Sequence, residues 1–454
     1  MPKKKTALTI EERLQQALVP AEEQPYEVPE NWVWVRLGEV NKYISKSVNP
    51  ISEPDKIFEL YSVPSMVDNY PEIIAGSDIG SSKQSVCKKD VLLCKINPRI
   101  NRVWKVSQFT DNELIASSEW IIIRNNHIDE NYLMYCFQSK YFREFMLSNV
   151  SGVGGSLMRA QPKYVQTYPI PLPPLSEQQR IVERIEELFA KLDEAKERLQ
   201  EVADSFAVRK AAILHKAFTG ELTKQWRWEN GVSDESWEEK KGEDFFEYVT
   251  SGSRGWAKYY SDKGSIFVRM GNLNHGTIEL DFSDIQYVEL PDQVEGQRSK
   301  LQKNDILISI TADVGMIGLV REDMDAYINQ HVALARPKND LYAEFLAWYF
   351  VSDVGLQQMQ NKQRGATKIG LGLQDIRSII LKIPTLPEQH EIVHLIDDLL
   401  ARERAAQQAT EQALASIDLM KKSILARAFR GELGTNKASE ASALELLRQV
   451  LAEG

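Results

Sequence analysis

Apolar residues recur at alternating steps of four and three along the stretch that follows Pro174. They occupy Ile181, Ile185, Leu188, Leu192, Ala195, Leu199, Val202 and Phe206. This spacing is typical of a coiled-coil seam, which is narrower than the apolar face of a surface helix. Gly220 follows the last periodic residues, where a left-handed helix C-cap is expected. The pattern predicts a long helix within residues 174–222, roughly 60 Å in length.

A second copy of this helix lies 211 positions further along the chain. Leu175–Leu222 aligns without a gap on Leu386–Leu433, and 18 of the 48 aligned pairs are identical. Gly431 takes the place of Gly220. Ser176 with Gln179, and Thr385 with Glu388, give capping-box patterns that predict where the two helices begin. Self-similarity at a fixed offset indicates a duplicated architecture.

The segments that precede the two long helices repeat the same order of predicted elements. In the first half, strand-like runs precede a helical segment, Glu130–Leu147; the runs are Trp32–Arg36, Phe58–Val63, Val91–Ile96, Val103–Val106 and Trp120–Arg124. After Thr223 the same order recurs, with sequence matches that are much weaker than those of the helices. We interpret the chain as two modules that recognise different targets, joined to two helices that have the same function.

These patterns divide the chain into an N-terminal arm and linker (1–24), a first module (25–173), a central helix (174–222), a second module (223–384), a distal helix (385–433) and a C-terminal tail (434–454). The arm contains an amphipathic segment, Thr9–Leu18, which we interpret as a surface arm of modest structural role. The predicted fold class is α+β. Two mixed α/β domains, related by pseudo-twofold symmetry, are joined by two long helices that form an antiparallel coiled coil.

Composition narrows the class of protein. The 454 residues are 43% hydrophobic and 26% charged, as in ordinary globular proteins with two or three domains. No apolar run approaches the ~20 residues that span a bilayer, and the N-terminus lacks the apolar core of a secretory signal. The three cysteines show no metal-ligand spacing. We therefore expect a reduced, cytoplasmic protein without membrane contact.

The net charge of −10 argues mildly against nucleic-acid binding, because phosphate contacts need lysine and arginine. Binding, however, depends on local patches more than on net charge. The charge balance alone does not decide between nucleic-acid and protein partners.

The start of the central helix, Pro-Leu-Pro-Pro-Leu-Ser-Glu-Gln-Gln-Arg-Ile-Val, resembles the specificity subunit of type I restriction-modification systems. The helix endings Ala-Phe-Thr-Gly-Glu-Leu (Ala217–Leu222) and Ala-Phe-Arg-Gly-Glu-Leu (Ala428–Leu433) are similar to those of that family. The order of module, helix, module and helix extends the resemblance over nearly the whole chain.

The resemblance implies that each module is a target recognition domain, which reads one half of a bipartite, asymmetric site in double-stranded DNA. It implies that the paired helices set the spacing between the halves and dock two adenine methyltransferase subunits. S-adenosylmethionine is then expected on the methyltransferase partner, and no cofactor on this chain. Motor-nuclease (restriction) subunits would join in the full complex.

The sequence offers little sign of chemistry of its own. Adenine methyltransferases carry an Asn/Asp-Pro-Pro-aromatic motif, and the nearest approach here, Asn97-Pro98-Arg99-Ile100, lacks the second proline and the aromatic. The glycine-rich stretch Ser151–Ser156 has no Lys-Ser/Thr continuation, so we interpret it as a loop and not as a phosphate site. His390 and His394 are four residues apart but have no third metal ligand nearby. We expect a non-enzyme, with no catalytic or metal site.

Arginine or lysine reads guanine and asparagine or glutamine reads adenine, while other basic residues contact phosphates. By this chemistry the first module offers Lys83, Lys89, Lys95, Arg99, Arg102, Arg159 and Lys163 as DNA-binding candidates. The second module offers Arg254, Lys258, Tyr259, Arg269, Asn272, Asn274, Arg298, Arg364 and Lys368. For any one of them, a solvated surface side chain is the alternative.

Candidates for helix pairing and partner docking occupy equivalent positions in the two helices. They are Leu175, Glu177, Gln178, Ile181, Ile185, Leu188 and Phe218 in the first copy, and Leu386, Glu388, Gln389, Ile392, Ile396, Leu399 and Phe429 in the second. A coiled-coil adaptor whose globular ends bind proteins is the alternative function, and it would suit the acidic net charge.

Overall fold

The computed structural model describes residues 8–152, 158–291, 296–339, 341–364 and 370–452. The chain forms two compact units, one made of residues 1–199 and 413–454 and the other of residues 200–412. We call them the first and second unit. Each unit contains one module and takes one end from each of the two long helices.

The helices are α1 (Ile10–Ala17), α2 (Leu37–Val40), α3 (Glu130–Gln138), α4 (Lys140–Ser148), α5 (Pro162–Val165), α6 (Leu175–Phe218), α7 (Lys224–Asn230), α8 (Gly242–Phe245), α9 (Ala343–Val351), α10 (Asp353–Asn361), α11 (Leu373–Arg377), α12 (Leu386–Ala428) and α13 (Ala443–Ala452). The strands of the first unit are β1 (Val33–Arg36), β2 (Ser47–Val48), β3 (Ile57–Tyr61), β4 (Glu72–Ala75), β5 (Lys83–Ser85), β6 (Val91–Cys94), β7 (Val103–Lys105), β8 (Glu113–Ala116), β9 (Trp120–Ile123), β10 (Val150–Ser151), β11 (Arg159–Ala160) and β12 (Pro169–Leu172). Those of the second unit are β13 (Glu238–Lys241), β14 (Phe246–Ser251), β15 (Tyr260–Ser261), β16 (Ser265–Val268), β17 (Tyr287–Val288), β18 (Ile306–Ser309), β19 (Ile317–Leu319), β20 (Ala326–Ile328), β21 (Val332–Pro337) and β22 (Ile380–Ile383).

The two modules share one sheet plan. In the first, β6 lies between β7 and β9 in an antiparallel sheet, and in the second β18 lies between β19 and β21 in the same way. Both modules pair a strand in parallel with a later one, β3 with β8 and β16 with β20. The first strand of each module pairs antiparallel with its last, β1 with β12 and β13 with β22. The mixed α/β modules predicted from the repeat are confirmed.

The two long helices are also confirmed, at 44 residues for α6 and 43 for α12. Both end at a glycine in the left-handed region, Gly220 with φ +76° and Gly431 with φ +74°, as predicted. The capping-box prediction is wrong at the start of α6. The carbonyl of Pro174 accepts the first helical N–H groups, so Ser176 lies inside the helix.

Within each unit the helix ends pack antiparallel. In the first, Ile181 and Ile185 share a core with Leu425 and Phe429. In the second, Leu214 and Phe218 share a core with Ile392, Ile396 and Leu400. Across the helices, Lys421 lies 2.5 Å from Asp193 in the first unit and Arg209 lies 2.9 Å from Glu403 in the second.

The predicted seam is not continuous. Ala195 is exposed and Val202 is 42% exposed, whereas the seam positions at the helix ends are buried. In the second copy Glu403 and Thr410 replace Leu192 and Leu199 at equivalent positions, so the apolar pattern of α12 is also interrupted. Apolar packing is therefore strongest where a module also covers the helices.

The N-terminal segment is not a surface arm, so that interpretation is wrong. α1 packs against α13, and Leu14 and Ala17 are buried in the same core as Leu447 and Val450. The guanidinium of Arg13 donates a 2.5 Å hydrogen bond to the carbonyl of Leu451. The partner of α1 lies some 430 residues away in sequence, so no local pattern could reveal the pairing. α1 and α13 therefore complete the first unit together.

A buried glutamate fastens each module to the helices. In the first unit the indole N–H of Trp32 donates to Glu177 at 2.8 Å, and the Asn436 amide, which follows α12, donates at 2.8 Å. In the second unit, Glu388 accepts from Trp237 at 3.1 Å and from Thr223, which follows α6, at 2.7 Å. We call each arrangement a carboxylate clamp. It joins the start of one helix, the module, and the segment that follows the other helix.

The neighbouring glutamine completes each attachment. Gln178 donates to the carbonyl of Pro173 and accepts from the N–H of Asp129, which is the N-cap of α3. Gln389 does the same with Pro384 and with Tyr342, the N-cap of α9. Each glutamine thus ties its module's helix to the start of a long helix.

The two clamps differ in charge compensation. In the second unit the Arg227 guanidinium donates to Glu388 at 2.7 Å, whereas Glu177 accepts its hydrogen bonds from the neutral side chains of Trp32, Thr435 and Asn436. Burial raises the pKa of Glu177 above its ordinary value, and these hydrogen bonds oppose the rise.

Trp32→Phe should therefore destabilise the protein more than Trp237→Phe. Loss of a hydrogen bond to a buried charge costs about 1.5–3 kcal/mol. Glu388 keeps the cation of Arg227 when Trp237 is changed, whereas Glu177 keeps only neutral hydrogen-bond donors when Trp32 is changed. Urea unfolding followed by circular dichroism measures both variants. Equal losses, or a larger loss for Trp237→Phe, would contradict the difference in charge compensation between the two clamps.

Candidate nucleic-acid interface

Each module has an end at which two turns and a further loop meet. In the first module these are turn 95–102 between β6 and β7, turn 117–119 between β8 and β9, and the β10–β11 segment. The N–H of Ala160 donates to the carbonyl of Lys95 at 2.8 Å, and the N–H of Lys95 donates to the carbonyl of Glu119 at 3.0 Å. We call this region the hairpin end of the first module.

The second module repeats these contacts. Turn 310–316 lies between β18 and β19, and turn 329–331 lies between β20 and β21. The N–H of Leu371 donates to the carbonyl of Ile310 at 2.9 Å, and the N–H of Ile310 donates to the carbonyl of His331 at 2.9 Å. These turns, with Arg364 and Gly370, form the hairpin end of the second module.

In each module an ion pair with a buried carboxylate joins two strands at the end opposite the hairpin end. Arg124, directly after β9, contacts both carboxylate oxygens of Asp90, which precedes β6. Arg336 on β21 contacts both oxygens of Asp305, which precedes β18. Burial raises the pKa of Asp305, and the hydrogen bond from Arg336 opposes this shift. The same framework therefore carries both hairpin ends.

Four of the predicted basic residues meet at the hairpin end of the first module. Lys95, Arg99 and Arg102 lie in its first turn, and Arg159 pairs with Glu119 at 3.3 Å. The ammonium of Lys95 donates to the carbonyl of Ser118 at 2.6 Å. These contacts hold Lys95 and Arg159 at turn 117–119, while Arg99 remains exposed.

Lys83 lies beside this group on β5, where its neighbour Gln84 donates to the carbonyl of Ser117. Partial burial lowers the pKa of Lys83, and the nearby carboxylate of Glu72 opposes the shift. Five predicted cations thus lie in or beside the first hairpin end; of these, Arg159 pairs with Glu119 and Lys83 lies near Glu72.

Lys89 and Lys163 do not join this group. Lys89 precedes β6, at the opposite end of that strand from Lys95, and it pairs with Glu130 at 3.5 Å. Its backbone φ of +77° matches that of Asn304 in the second module, +73°, which marks a shared turn. Lys163 is exposed on α5, with its ammonium 4.6 Å from the ring centre of Tyr164.

In the second module Arg269, Asn272 and Asn274 follow β16 and reach the hairpin end. Arg269 pairs with Asp284 at 2.8 Å, and exposed Asn274 forms a bridge to Ile317 at the start of β19. Asn272 is buried and its amide is used inside the loop, since it donates to the carbonyls of Asp281 and Asp284 and accepts from the N–H of Arg269. The structure gives this side chain a loop-stabilising role.

The remaining candidates of the second module are more scattered. Arg364 is exposed, pairs with Asp375 at 2.9 Å and forms a bridge to Gly370. Arg254 follows β14 and is exposed, as is Arg298 on the neighbouring segment. Lys258 lies over the ring of Tyr259 at the edge formed by β15. Lys368 lies outside the described residues.

Sequence reasoning missed the side chains of turn 329–331. Asn329, Gln330 and His331 lie at the hairpin end, and His331 contacts Thr311 of the adjacent turn at 2.6 Å. Their sequence signal was indirect. They directly precede the run Val332–Arg336, which matches Trp120–Arg124, so they occupy the place of Ser117–Glu119.

The helix candidates separate into buried and exposed sets. Glu177, Gln178, Glu388 and Gln389 are buried in the clamps, so they attach modules and present no surface to a partner. Ile181, Ile185, Ile392, Ile396, Phe218 and Phe429 are buried in the cores, and Leu188 and Leu399 are half-buried. Leu175 and Leu386 are each 41% exposed at equivalent positions.

A second pair of exposed apolar residues, in addition to Leu175 and Leu386, was not predicted from the sequence. Val208 is 70% exposed and Leu419, which is 211 positions later, is 64% exposed. Thus both helix copies present apolar side chains to solvent at the same two places.

Within the described ranges, no cluster of three or more histidine, cysteine, aspartate or glutamate side chains could hold a metal ion. No helix in the same ranges combines the length and apolar character needed to cross a membrane.

Comparison with known proteins identifies related chains. The chain is 30% identical over 306 residues to the specificity subunit of the type I restriction enzyme EcoBI from Escherichia coli, a match covering 63% of this chain and 64% of that subunit. The chain thus spans just under two thirds of that relative's length. It is 28% identical over 345 residues to the EcoKI specificity subunit of Escherichia coli strain K12, covering 72% of each chain.

Two solved structures share the fold. The HsdS subunit from Thermoanaerobacter tengcongensis matches with a TM-score of 0.67 at 22% identity, over 90% of this chain and 99% of that one. A chain from a structural study of the assembly and conformational transition of the type I restriction-modification system matches with a TM-score of 0.68 at 22% identity, over 90% and 100%.

The family model described as the type I restriction modification DNA specificity domain matches twice, at residues 29–204 and 234–414. Each match contains one module with part of the long helix that follows it. Because these matches cover well over half of the sequence, the chain belongs to the type I restriction modification DNA specificity family.

Proposed function

We propose that this chain is the sequence-specificity subunit of a type I restriction-modification complex, in which each module reads one half of a bipartite, asymmetric DNA site. One observation carries this proposal. Two modules of one plan present different side chains at the same place, with Lys95 and Arg159 at one hairpin end and Gln330 and His331 at the other. An asymmetric site requires two readers of the same geometry and different chemistry.

The ion pair at the first hairpin end is compatible with DNA binding. Arg159–Glu119 is partly exposed, and a pair of this kind contributes about 0–1 kcal/mol to stability. Exchange of a carboxylate for a DNA phosphate therefore costs little. The local excess of cations at the first hairpin end outweighs the acidic net charge of the whole chain at that surface.

The helices are proposed to dock two methyltransferase subunits and to set the spacing between the half-sites. The equivalent exposures of Leu175 and Leu386, and of Val208 and Leu419, support two copies of one partner binding to two copies of one surface. Motor-nuclease subunits would join this assembly for cleavage.

In this proposal the chain performs no chemistry, and S-adenosylmethionine binds to the methyltransferase partner. The sequence nearest to a methyltransferase motif, Asn97-Pro98-Arg99, lies in turn 95–102, where Asn97 has a positive φ of +46°. A turn of this kind suits surface contact with DNA. The proposed site of action is cytoplasmic DNA.

Mapping of methylated adenines in cells that carry this chain and its methyltransferase partner tests the proposal. The expected result is a two-part motif with an unread spacer, which disappears when the gene for this chain is deleted. A continuous motif, or a motif that persists after the deletion, would refute the function.

The salt dependence of DNA binding by the purified complex separates this function from that of a protein-binding adaptor. Phosphate contacts make the logarithm of affinity fall linearly with the logarithm of salt concentration, and Lys95→Ala with Arg159→Ala should reduce that slope by about two. An adaptor would show neither the slope nor the change.

Val208→Asp and Leu419→Asp should each remove one methyltransferase subunit, and the double variant should remove both. A buried valine or leucine contributes about 1.5–3 kcal/mol, so each substitution should weaken its site by at least about tenfold. Native mass spectrometry of the complex gives the subunit count. Gln200→Asp, an exposed position on the same helix, is the charge-matched control and should keep both subunits.

Removal of one heptad from both helices should shorten the spacer. Residues 195–201 of α6 and residues 412–418 of α12 are deleted together, because both heptads lie between the Asp193–Lys421 and Arg209–Glu403 contacts. Seven residues rise about 10 Å, which equals about three base pairs, and both half-sites should stay the same. Replacement of the same residues by other helix-forming heptads should leave the spacer unchanged. An unaltered spacer after deletion would rule out a spacing role.

A further inference from the structure

The second hairpin end contains a chain of side-chain hydrogen bonds that links both of its turns. Thr311 Oγ1 lies 2.6 Å from His331 Nδ1, and Gln330 Nε2 lies 3.0 Å from His331 Nε2. His331 is exposed and Gln330 is half-buried. The backbone beneath them is fixed, because the N–H of His331 donates to the side chain of Asn329 and its carbonyl accepts from Ile310.

The directions of these hydrogen bonds follow from the groups involved. An amide nitrogen can only donate, so Nε2 of the imidazole must accept from Gln330. In a neutral imidazole the other nitrogen then carries the proton, and Nδ1 donates to the hydroxyl oxygen of Thr311. His331 is thus held at both nitrogens, and it fixes the amide plane of Gln330.

This arrangement leaves two hydrogen-bonding groups of Gln330 unused by the histidine. One amide N–H and the carbonyl oxygen remain, and they are the pair with which glutamine contacts adenine in the major groove, at N7 and at the N6 amino group. A fixed amide loses less conformational entropy on binding than a mobile one.

The first module has different chemistry at this position. Ser118 and Glu119 replace Gln330 and His331, and the contacts there are Lys95 to the carbonyl of Ser118 and Arg159 to the carboxylate of Glu119. The two modules therefore keep the backbone of this turn and change its side chains, as a specificity-determining position requires.

We propose that Gln330 reads an adenine in the half-site recognised by the second module, and that His331 and Thr311 are positioning residues for its amide. This inference rests on the proposed function and adds to it the identity of one reading residue and of its base.

The test starts from the two-part motif of the wild-type complex. Purified complexes carrying wild type, Gln330→Ala or Gln330→Glu are compared on the cognate site and on sites with single base-pair changes, by competition binding. For wild type, changing one A·T pair of one half-site to G·C should weaken binding by about 10- to 100-fold. Gln330→Ala should reduce that factor below about threefold while leaving discrimination at the other positions intact.

Gln330→Glu should move the preference at that pair toward cytosine, because a carboxylate accepts from the cytosine amino group. His331→Phe removes both ring nitrogens and should lower discrimination at the same base pair only. Gln225→Ala, an exposed glutamine on α7 with one side-chain hydrogen bond to Glu229, is the control and should match wild type.

Unchanged discrimination at every A·T position in Gln330→Ala and Gln330→Glu would overturn the inference and leave the specificity function standing. Uniformly weakened binding with every base preference retained would also overturn it, since that result describes a structural or phosphate-contacting role. Absence of any motif dependent on this chain would overturn both the inference and the proposed function.

Discussion

A carboxylate removed from water must find hydrogen-bond donors, and this requirement organises both units. Glu177 and Glu388 take theirs from a tryptophan of the module and from the segment that follows the opposite helix. Close packing reinforces the arrangement, since a Cβ on Gly431 would lie 2.4 Å from Pro29 and one on Gly220 would lie 3.3 Å from Arg227. The Glu-Gln pair and the terminal glycine are identical in both helix copies because each is constrained by several partners at once.

The two modules also share a buried framework, whereas the side chains on their exposed turns differ. Buried Asp90 and Asp305 pair with Arg124 and Arg336 in the same bidentate geometry, at the strand ends opposite the hairpin ends. Removal of one partner from such a pair leaves an uncompensated buried charge, which is strongly destabilising. The exposed turns at the hairpin ends carry no such penalty, so their side chains can differ between the modules while the strands stay in place.

The sequence was sufficient for features that rest on local or repeated patterns. The long helices, their glycine ends and the shared order of strands follow from periodicity and from the 211-residue repeat. The helical segment Glu130–Leu147 is in fact two helices, because Ser139 ends α3 and caps α4, as Ser352 does between α9 and α10. Tertiary features escaped prediction. The sequence predicts Asn272 as a base contact, but its amide donates to backbone carbonyls of its own loop. The hydrogen bonds between Thr311, His331 and Gln330 join two turns that are separated in sequence, so no local pattern could predict them.

The pairing of α1 with α13 has a consequence for how the protein is made. The second unit is one continuous stretch of chain, residues 200–412, so all of it has been synthesised before the C-terminal helix exists. The first unit needs Leu447 and Val450, which are translated after the whole second unit, to cover Leu14 and Ala17. The usual order, in which N-terminal domains finish folding first, is therefore reversed. A chain that stops before α13 would contain a finished second unit and an open first unit, in which α2 of the first module lacks its contacts with α13.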